Sequence, residues 1–267
     1  MAGPRNTRVD RLVAMGPTAR TRPTRLGFLA LPPLVGAYGE NQTRIGPMCG
    51  RFSQSERLDR LAEWFGADSD DDLPAGSYNV APTDLIRIVL QQGEARKVVA
   101  ADWGFRPFWR GRPEKREPGW INARAETVLD SPAFGPALRQ HRCVIPADAF
   151  YEWDRRHRPP QPYAIGPADE GGMLALAGLW AQTRPGEPTT VAILTTEPNR
   201  MMESLHHRMP VILHPDNVDA WLATDAAMRR AGASPRRRAR GGASRLASQH
   251  GGQQGWKQRP EPARAGG

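Results

Sequence analysis

Between Leu85 and Leu213 the chain is cut into short apolar or alternating runs, and this segmentation constrains the fold more than any other feature. Leu85-Ile86-Arg87-Ile88-Val89-Leu90 reads as a strand, Gln92-Gly93 as a turn, and Arg96 to Trp103 as the hairpin partner. Met173 to Trp180, Thr190 to Thr196 and Val211-Ile212-Leu213 are further apolar strands. Arg142 to Trp153 (RCVIPADAFYEW) begins apolar and ends alternating, so that Phe150 and Glu152 face one way, Tyr151 and Trp153 the other. Helical spacing is rarer. It runs from Ser55, a candidate cap, through Leu58, Leu61, Ala62 and Phe65 to a stop at Gly66, and again from Asp216 to Leu222. Glu197-Pro198-Asn199 opens a third, short helix. Many short strands with few helices define an α+β protein built on a β-barrel or sandwich.

The connecting segments carry their own restrictions. The acidic run Asp68 to Asp72 reads as a solvated loop, and Tyr78-Asn79-Val80-Ala81-Pro82 as extended, because a residue before proline avoids the helical region. Trp103-Gly104-Phe105-Arg106-Pro107-Phe108-Trp109 is an aromatic cluster with turn residues inside it. It suits core packing, but Trp109 beside Arg110 and Arg112 also suits a base stacked over a phosphate-binding edge.

Charge divides the chain in three. Residues 1–47 hold seven Arg and two acids, and residues 229–267 hold ten Lys/Arg and one acid. The middle, 48–228, is net −5, so the overall +9 belongs to the flanks and any DNA-binding surface on the central domain is a local patch. Residues 1–47, rich in Arg, Thr, Pro and Gly, are expected to be disordered or untranslated, with Met48 the real start. Residues 229–267 read as a basic low-complexity tail. Two cysteines make no disulfide framework, and no apolar run approaches the ~20 residues that span a bilayer. The expected compartment is the cytoplasm.

Chemistry concentrates at Met48-Cys49-Gly50-Arg51-Phe52. Removing Met48 would leave Cys49 with an α-amine of pKa ~8 and a thiol of pKa ~8.5 on adjacent carbons. Together they capture an aldehyde twice: the amine forms a Schiff base and the thiolate closes a thiazolidine ring. Mid-chain, Cys49 would be a small buried hydrophobe. Cys143, in an apolar strand, is read as structural. Glu152, flanked by aromatics, is either a surface carboxylate or a half-desolvated proton-transfer group with a raised pKa. Without metal-ligand spacing or a phosphate-binding Gly loop, no metal or cofactor is implied.

Seven segments in order resemble the SOS response-associated peptidase (SRAP) family: MCGRF, YNVAP, WGF-x-P-x-W, INARAET, RCVIPADAFYEW, LTTEPN and H-x-RMPVIL, from Met48 to about Leu222. The resemblance implies an SRAP-type α+β fold with a central β-barrel-like antiparallel sheet flanked by short helices, and a shallow groove for single-stranded DNA. It implies covalent capture of abasic sites in single-stranded DNA by a monomer without a cofactor, at the nucleoid during DNA damage. Cys49 matches the nucleophile, Asn122 the asparagine that holds cysteine and sugar, Glu152 the acid/base glutamate, and His206 the histidine of H-x-RMP. Arg51, Arg124, Trp109 and Pro82 fall on DNA-contacting positions. His206 has the unperturbed pKa to open the closed hemiacetal, Glu152 suits loss of water from the carbinolamine, and the Asn122 amide can stabilise developing charge.

Two rival readings accompany it. Cys49 with His206 and Glu152 or Asn122 would make a thiol (auto)peptidase that removes residues such as 1–47. Alternatively, Arg and aromatic residues alone would make a non-catalytic single-strand binder. Two departures from the family pattern stand out. Cys49 is internal as written, and the closing strand (a PVS-x-x-VN segment, then Gly-Pro-Glu) is missing at the C-terminus. Reading Gln249 to Pro260 one base later can restore a similar ending, so residues from about Arg230 are expected to be out of frame.

Overall fold

The computed structural model describes residues 26–30, 50–110, 119–169, 171–182 and 186–223. Its strands are β1 (Leu26–Ala30), β2 (Phe52–Gln54), β3 (Ala67–Ser69), β4 (Ser77–Val80), β5 (Leu85–Gln92), β6 (Ala95–Trp103) and β7 (Asn122–Arg124). They continue with β8 (Arg142–Ala147), β9 (Ala149–Asp154), β10 (Gln161–Pro167), β11 (Leu174–Ala181), β12 (Thr190–Thr196), β13 (Met209–Pro210) and β14 (Ile212–Leu213). Among the described residues three α-helices accompany them: α1 (Leu58–Phe65), α2 (Gly135–Gln140) and α3 (Pro215–Leu222). The fold is mixed α+β, mostly sheet. No helix among the described residues is long and apolar enough to cross a membrane.

Two sheets form. The larger runs β13-β12-β11-β8-β5-β6-β3, and a further parallel pairing of β12 with β6 closes β5, β6, β12, β11 and β8 into a ring. β12 is Thr-Val-Ala-Ile-Leu-Thr-Thr, buried at every position, as a strand covered on both faces must be. It takes β7 as a second parallel neighbour, with Asn122 opposite Ile193. The smaller sheet runs β1-β10-β9-β2-β4.

Alternation sorts the ring residues into two core clusters. Leu61, Phe65, Leu138, Val218 and Trp221 bring the three helices onto one face, with Val89, Val144, Leu179 and Leu194. On the other face Ile86, Ile88, Trp103, Ile145 and Ile193 meet Phe52, Phe150 and Ile165 from the smaller sheet. Cys143 lies on this second face, fully buried, and burial pushes its thiol well above the usual range. Arg142 satisfies two helix ends at once: its guanidinium donates to the Trp221 carbonyl (2.6 Å) and to Ala223 after α3, and to the Leu138 carbonyl (2.6 Å) in α2.

Several local expectations are corrected. Ser55 does not cap α1, which begins after Arg57; its N–H and hydroxyl both donate to the Asp148 carboxylate, so the hydroxyl is engaged there rather than accepting a helix N–H. The stop at Gly66 stands, with φ +57, a conformation glycine adopts without a Cβ penalty. Part of the acidic run is strand β3, which pairs in parallel with β6 and leaves Asp68 and Ser69 exposed. Within residues 1–47, expected to be disordered, Leu26–Ala30 pairs antiparallel with β10, whose outer edge offers unpaired backbone groups. The rest of that segment lies outside the described residues, as do the basic tail 229–267 and with it the expected loss of a closing strand.

Candidate active site

Cys49 lies just outside the described residues; Gly50 and β2 continue directly from it. β2 is held by a buried polar network. The Gln54 amide donates to the carbonyls of Arg87 in β5 and Pro146 in β8, both at 2.8 Å, and accepts the Arg87 N–H at 2.8 Å. Arg87, only 2% exposed, sends its guanidinium back to the carbonyls of Gln54 (2.6 Å) and Glu56 (2.9 Å). Asp148 receives the hydroxyls of Ser53 (2.6 Å) and Ser55 (2.7 Å). The segment leading away from Cys49 is thereby fixed against both sheets.

β9 runs antiparallel to β2, with Phe52 opposite Phe150 and the Tyr151 N–H donating to the Arg51 carbonyl at 2.9 Å. Continued two residues, that register brings Glu152 level with Gly50. The alternation read from the sequence holds: Phe150, Glu152 and Asp154 are buried, Tyr151 and Trp153 half-buried. Glu152 is 6% exposed, which removes the surface-carboxylate alternative.

Asn122 opens β7. The preceding carbonyl, Ile121, accepts from the Trp103 indole (3.0 Å) and the Ile193 N–H (2.9 Å), and the Trp103 ring meets Phe52 edge-on at 5.0 Å. His206 follows the 3-10 turn Met202–Ser204, its N–H bonded to the Met202 carbonyl at 2.9 Å. Its Nδ1 accepts the Arg208 N–H at 3.2 Å, so a neutral ring carries its proton on Nε2, which is buried without a hydrogen-bond partner among the described residues. Burial, then electrostatic opposition from the His207 ring stacked at 4.3 Å, hold His206 below the usual imidazole range. At neutral pH it is a neutral ring with a donor ready for a ligand.

One core cluster ties these pieces together: Phe52, Trp103, Phe150 and Met202 are buried in it, and Ile121 and Leu205 pack against it. Strand β2 leading from Cys49, strand β9 bearing Glu152, and the neighbours of Asn122 and His206 therefore all pack on one apolar cluster.

The expected DNA contacts are spread around this site. Arg51 donates to the Asn79 amide oxygen at 2.9 Å; Pro82 is half-buried in the turn between β4 and β5; Arg124 is exposed at the end of β7. Trp109 and Phe108 stand in a 3-10 turn after β6, each 58% exposed. Core packing does not account for Trp109. Trp109→Ala should weaken single-stranded DNA binding by about 1–3 kcal/mol, the worth of one base stack, while leaving the chemical step intact. Fluorescence anisotropy against an uncapturable strand measures it, and unchanged affinity would remove Trp109 from the interface.

Two features escaped the sequence reading. Arg208 grips Glu126 through two 2.8 Å bonds and also the Thr195 carbonyl at 2.8 Å, locking the β7 segment to the His206 segment. Burial is the largest single influence on Glu126 and opposes its ionisation, but the Arg208 hydrogen bond, a backbone hydrogen bond, the Arg208 charge and the Thr196 hydroxyl together outweigh it, and its pKa falls below the usual range. Both residues belong to quoted motifs, INARAET and H-x-RMP, yet their partnership across 82 positions has no local signature. A cleft of about 390 Å³ beside His206, lined by Asp154, Arg155, Arg156, Glu203 and His207, was also unforeseen. There the Arg156 hydrogen bonds hold the Asp154 carboxyl down to about 2.

Similarity to known proteins agrees with this architecture. The profile of the family described as SOS response associated peptidase (SRAP) matches residues 48–240, and the chain belongs to that family. Abasic site processing protein YoqW of Bacillus subtilis is 40% identical over 182 residues, covering 66% of this chain and 80% of that protein. Abasic site processing protein YedK of Escherichia coli is 29% identical, covering 66% of this chain and 79% of its own length. Abasic site processing protein HMCES of Gallus gallus is 32% identical over 55% of this chain and 53% of its own. Among solved structures, a protein from Bordetella bronchiseptica superposes with TM-score 0.57 at 27% identity, covering 68% of this chain and 92% of that one. One from Bacteroides thetaiotaomicron gives 0.56 at 26%, covering 68% and 85%.

Proposed function

We propose that this protein processes abasic sites in single-stranded DNA by covalent capture, with Cys49 as nucleophile once Met48 is removed. The observation that carries the reading is the buried Glu152 on the strand paired with the run following Cys49, and it is supported by Ile121 and Leu205, the neighbours of Asn122 and His206, packing against the same apolar cluster. A buried carboxyl beside the nucleophile's strand is placed where a proton-transfer group for capture is needed.

The sequence of steps follows from the groups. The His206 Nε2–H hydrogen-bonds the ring oxygen of the closed sugar and polarises the C1′–O bond, the Glu152 carboxylate takes the C1′ hydroxyl proton, and water supplies a proton to the departing ring oxygen, freeing the aldehyde. The Cys49 amine adds to C1′ to give a carbinolamine, and Glu152 protonates the departing hydroxyl so that water leaves and an imine forms. The Cys49 thiolate then adds to the imine carbon, and the nitrogen takes a proton to complete the thiazolidine. The Asn122 amide orients amine and hydroxyl through donor and acceptor ends.

The test is incubation of processed protein with a strand containing one abasic site, followed by denaturing electrophoresis. Glu152→Gln and His206→Ala should each slow adduct formation by about 10²-fold with binding little changed, the usual worth of a general acid or base. A damaging His207→Ala beside a silent His206→Ala would transfer the role to His207. A chain that sheds residues 1–48 but forms no adduct would make Cys49 a peptidase nucleophile instead.

A further inference from the structure

β4 carries an extra residue. Phe52 pairs with Val80 and Gln54 with Ser77, so two steps along β2 correspond to three along β4, and Tyr78 and Asn79 together face Ser53. A bulge of this kind breaks the alternation, and the burial record shows it: Tyr78 and Asn79 are consecutive and both exposed. Bulges collect at sheet edges and beside active sites, where they re-aim side chains. β4 is the edge of the smaller sheet, directly beside the strand that leads back to Cys49.

The two re-aimed residues have different surroundings. The Asn79 amide oxygen accepts from the Arg51 guanidinium at 2.9 Å, two residues from Cys49. Tyr78 is 77% exposed, more than any other large apolar or aromatic side chain among the described residues. Its backbone is nonetheless fixed, since the Tyr151 hydroxyl donates to the Tyr78 carbonyl at 2.8 Å from β9, next to Glu152. An exposed ring on a rigid strand, beside an arginine, matches the platform on which single-stranded nucleic acids lay their bases. Core packing cannot explain the ring, and a solvated loop would not need the Tyr151 bond.

We propose that the β4 bulge forms a base-stacking step: Tyr78 stacks one base of the strand flanking the abasic sugar, and Asn79 positions Arg51 for the neighbouring phosphate. The inference deepens the reading given above and rests on it for the identity of the strand. Tyr78 fixes where the strand lies, whereas Cys49, Glu152 and His206 act on the sugar. Stacking needs a π face and not a hydroxyl, so the site should accept any base and tolerate phenylalanine.

Affinity is measured by anisotropy with strands bearing a tetrahydrofuran residue, which has no aldehyde and reports binding alone. Tyr78→Leu, which keeps apolar bulk without a ring, should weaken binding about tenfold, and Tyr78→Phe should match wild type. Next, each base flanking the tetrahydrofuran is deleted in turn. Wild type should lose about tenfold at one position, and Tyr78→Leu should lose nothing further there, because the same stack is already gone. Asn79→Ala should reduce the salt dependence by about 0.7 in log–log slope, one phosphate contact to a single strand. Equal binding by the Leu and Phe variants, or full sensitivity to every base deletion in Tyr78→Leu, overturns the stacking step. If the Tyr78 effects appear but wild type never forms an adduct with a true abasic strand, the stacking step stands and covalent capture falls. If adducts form at the wild-type rate and affinity in Tyr78→Leu, the reverse holds.

Discussion

Protein made from Met48, with that methionine removed, should form a denaturation-resistant adduct with abasic single-stranded DNA, and Cys49→Ala should abolish it. The expectation follows from valence. In an intact 1–267 chain the Cys49 nitrogen is an amide, whose lone pair is delocalised into the preceding carbonyl, so it cannot condense with an aldehyde. Freed, the nitrogen is an amine of pKa ~8 and reacts near neutral pH. Cys49→Ser separates the two steps: the amine still yields a Schiff base that borohydride traps, while the hydroxyl is a far weaker nucleophile than a thiolate and closes the ring poorly. Intact mass must verify each sample. Equal crosslinking by an unprocessed full-length chain would show that the amine is dispensable and end the thiazolidine chemistry.

What could be read from the sequence was whatever a strand writes into its own side chains. β5, β6, β11 and β12 are runs of β-branched and apolar residues, and the alternation of β9 put Phe150 and Glu152 on one face while leaving open whether that carboxylate was buried. Elements that depend on a neighbour were invisible. β3 is Ala-Asp-Ser, a loop by composition, and exists because β6 offers backbone partners in parallel register. β10 has prolines at 162 and 167, residues that argue against an interior strand, yet it pairs with both β9 and β1. β7 is three residues long, too short for any period, although it carries Asn122.

The site follows the same rule. The residues proposed to carry the chemistry stand in dense local motifs and could be picked out one at a time. Their supports were not. The Arg208–Glu126 clamp, the Gln54–Arg87 network and the β4 bulge each require the register between strands distant in sequence. Reading Ser55 as a helix cap failed for the same reason, since Asp148, 93 residues away, is the better partner.

Arg87→Met should cost about 3 kcal/mol of folding stability, the loss of charged hydrogen bonds to one buried and one part-buried backbone carbonyl. A hydrophobic replacement is often tolerated when both members of a buried pair are removed together. Here that escape is closed, because the acceptors, Gln54 O and Glu56 O, are backbone and cannot be mutated away. Burial disfavours the Arg87 charge, with Asp148 and Glu56 opposing that effect, so the network persists through its hydrogen bonds. Arg87→Lys should recover only part of the loss, since one ammonium cannot reproduce a planar fork aimed at two carbonyls. For a domain of this size the Met variant should melt about 6–12 °C lower. The effect on function should exceed the effect on folding. The Gln54 and Glu56 carbonyls lose the guanidinium that grips them, the hold of β5 on β2 is reduced to the bonds between the Gln54 amide and the Arg87 backbone, and the β2–β9 register that leads back toward Cys49 is less firmly kept. Adduct formation by Arg87→Met, measured where the protein is still fully folded, should therefore be slower than wild type. A variant that unfolds early but captures at the normal rate while folded would confine Arg87 to stability and detach it from the placement of the nucleophile.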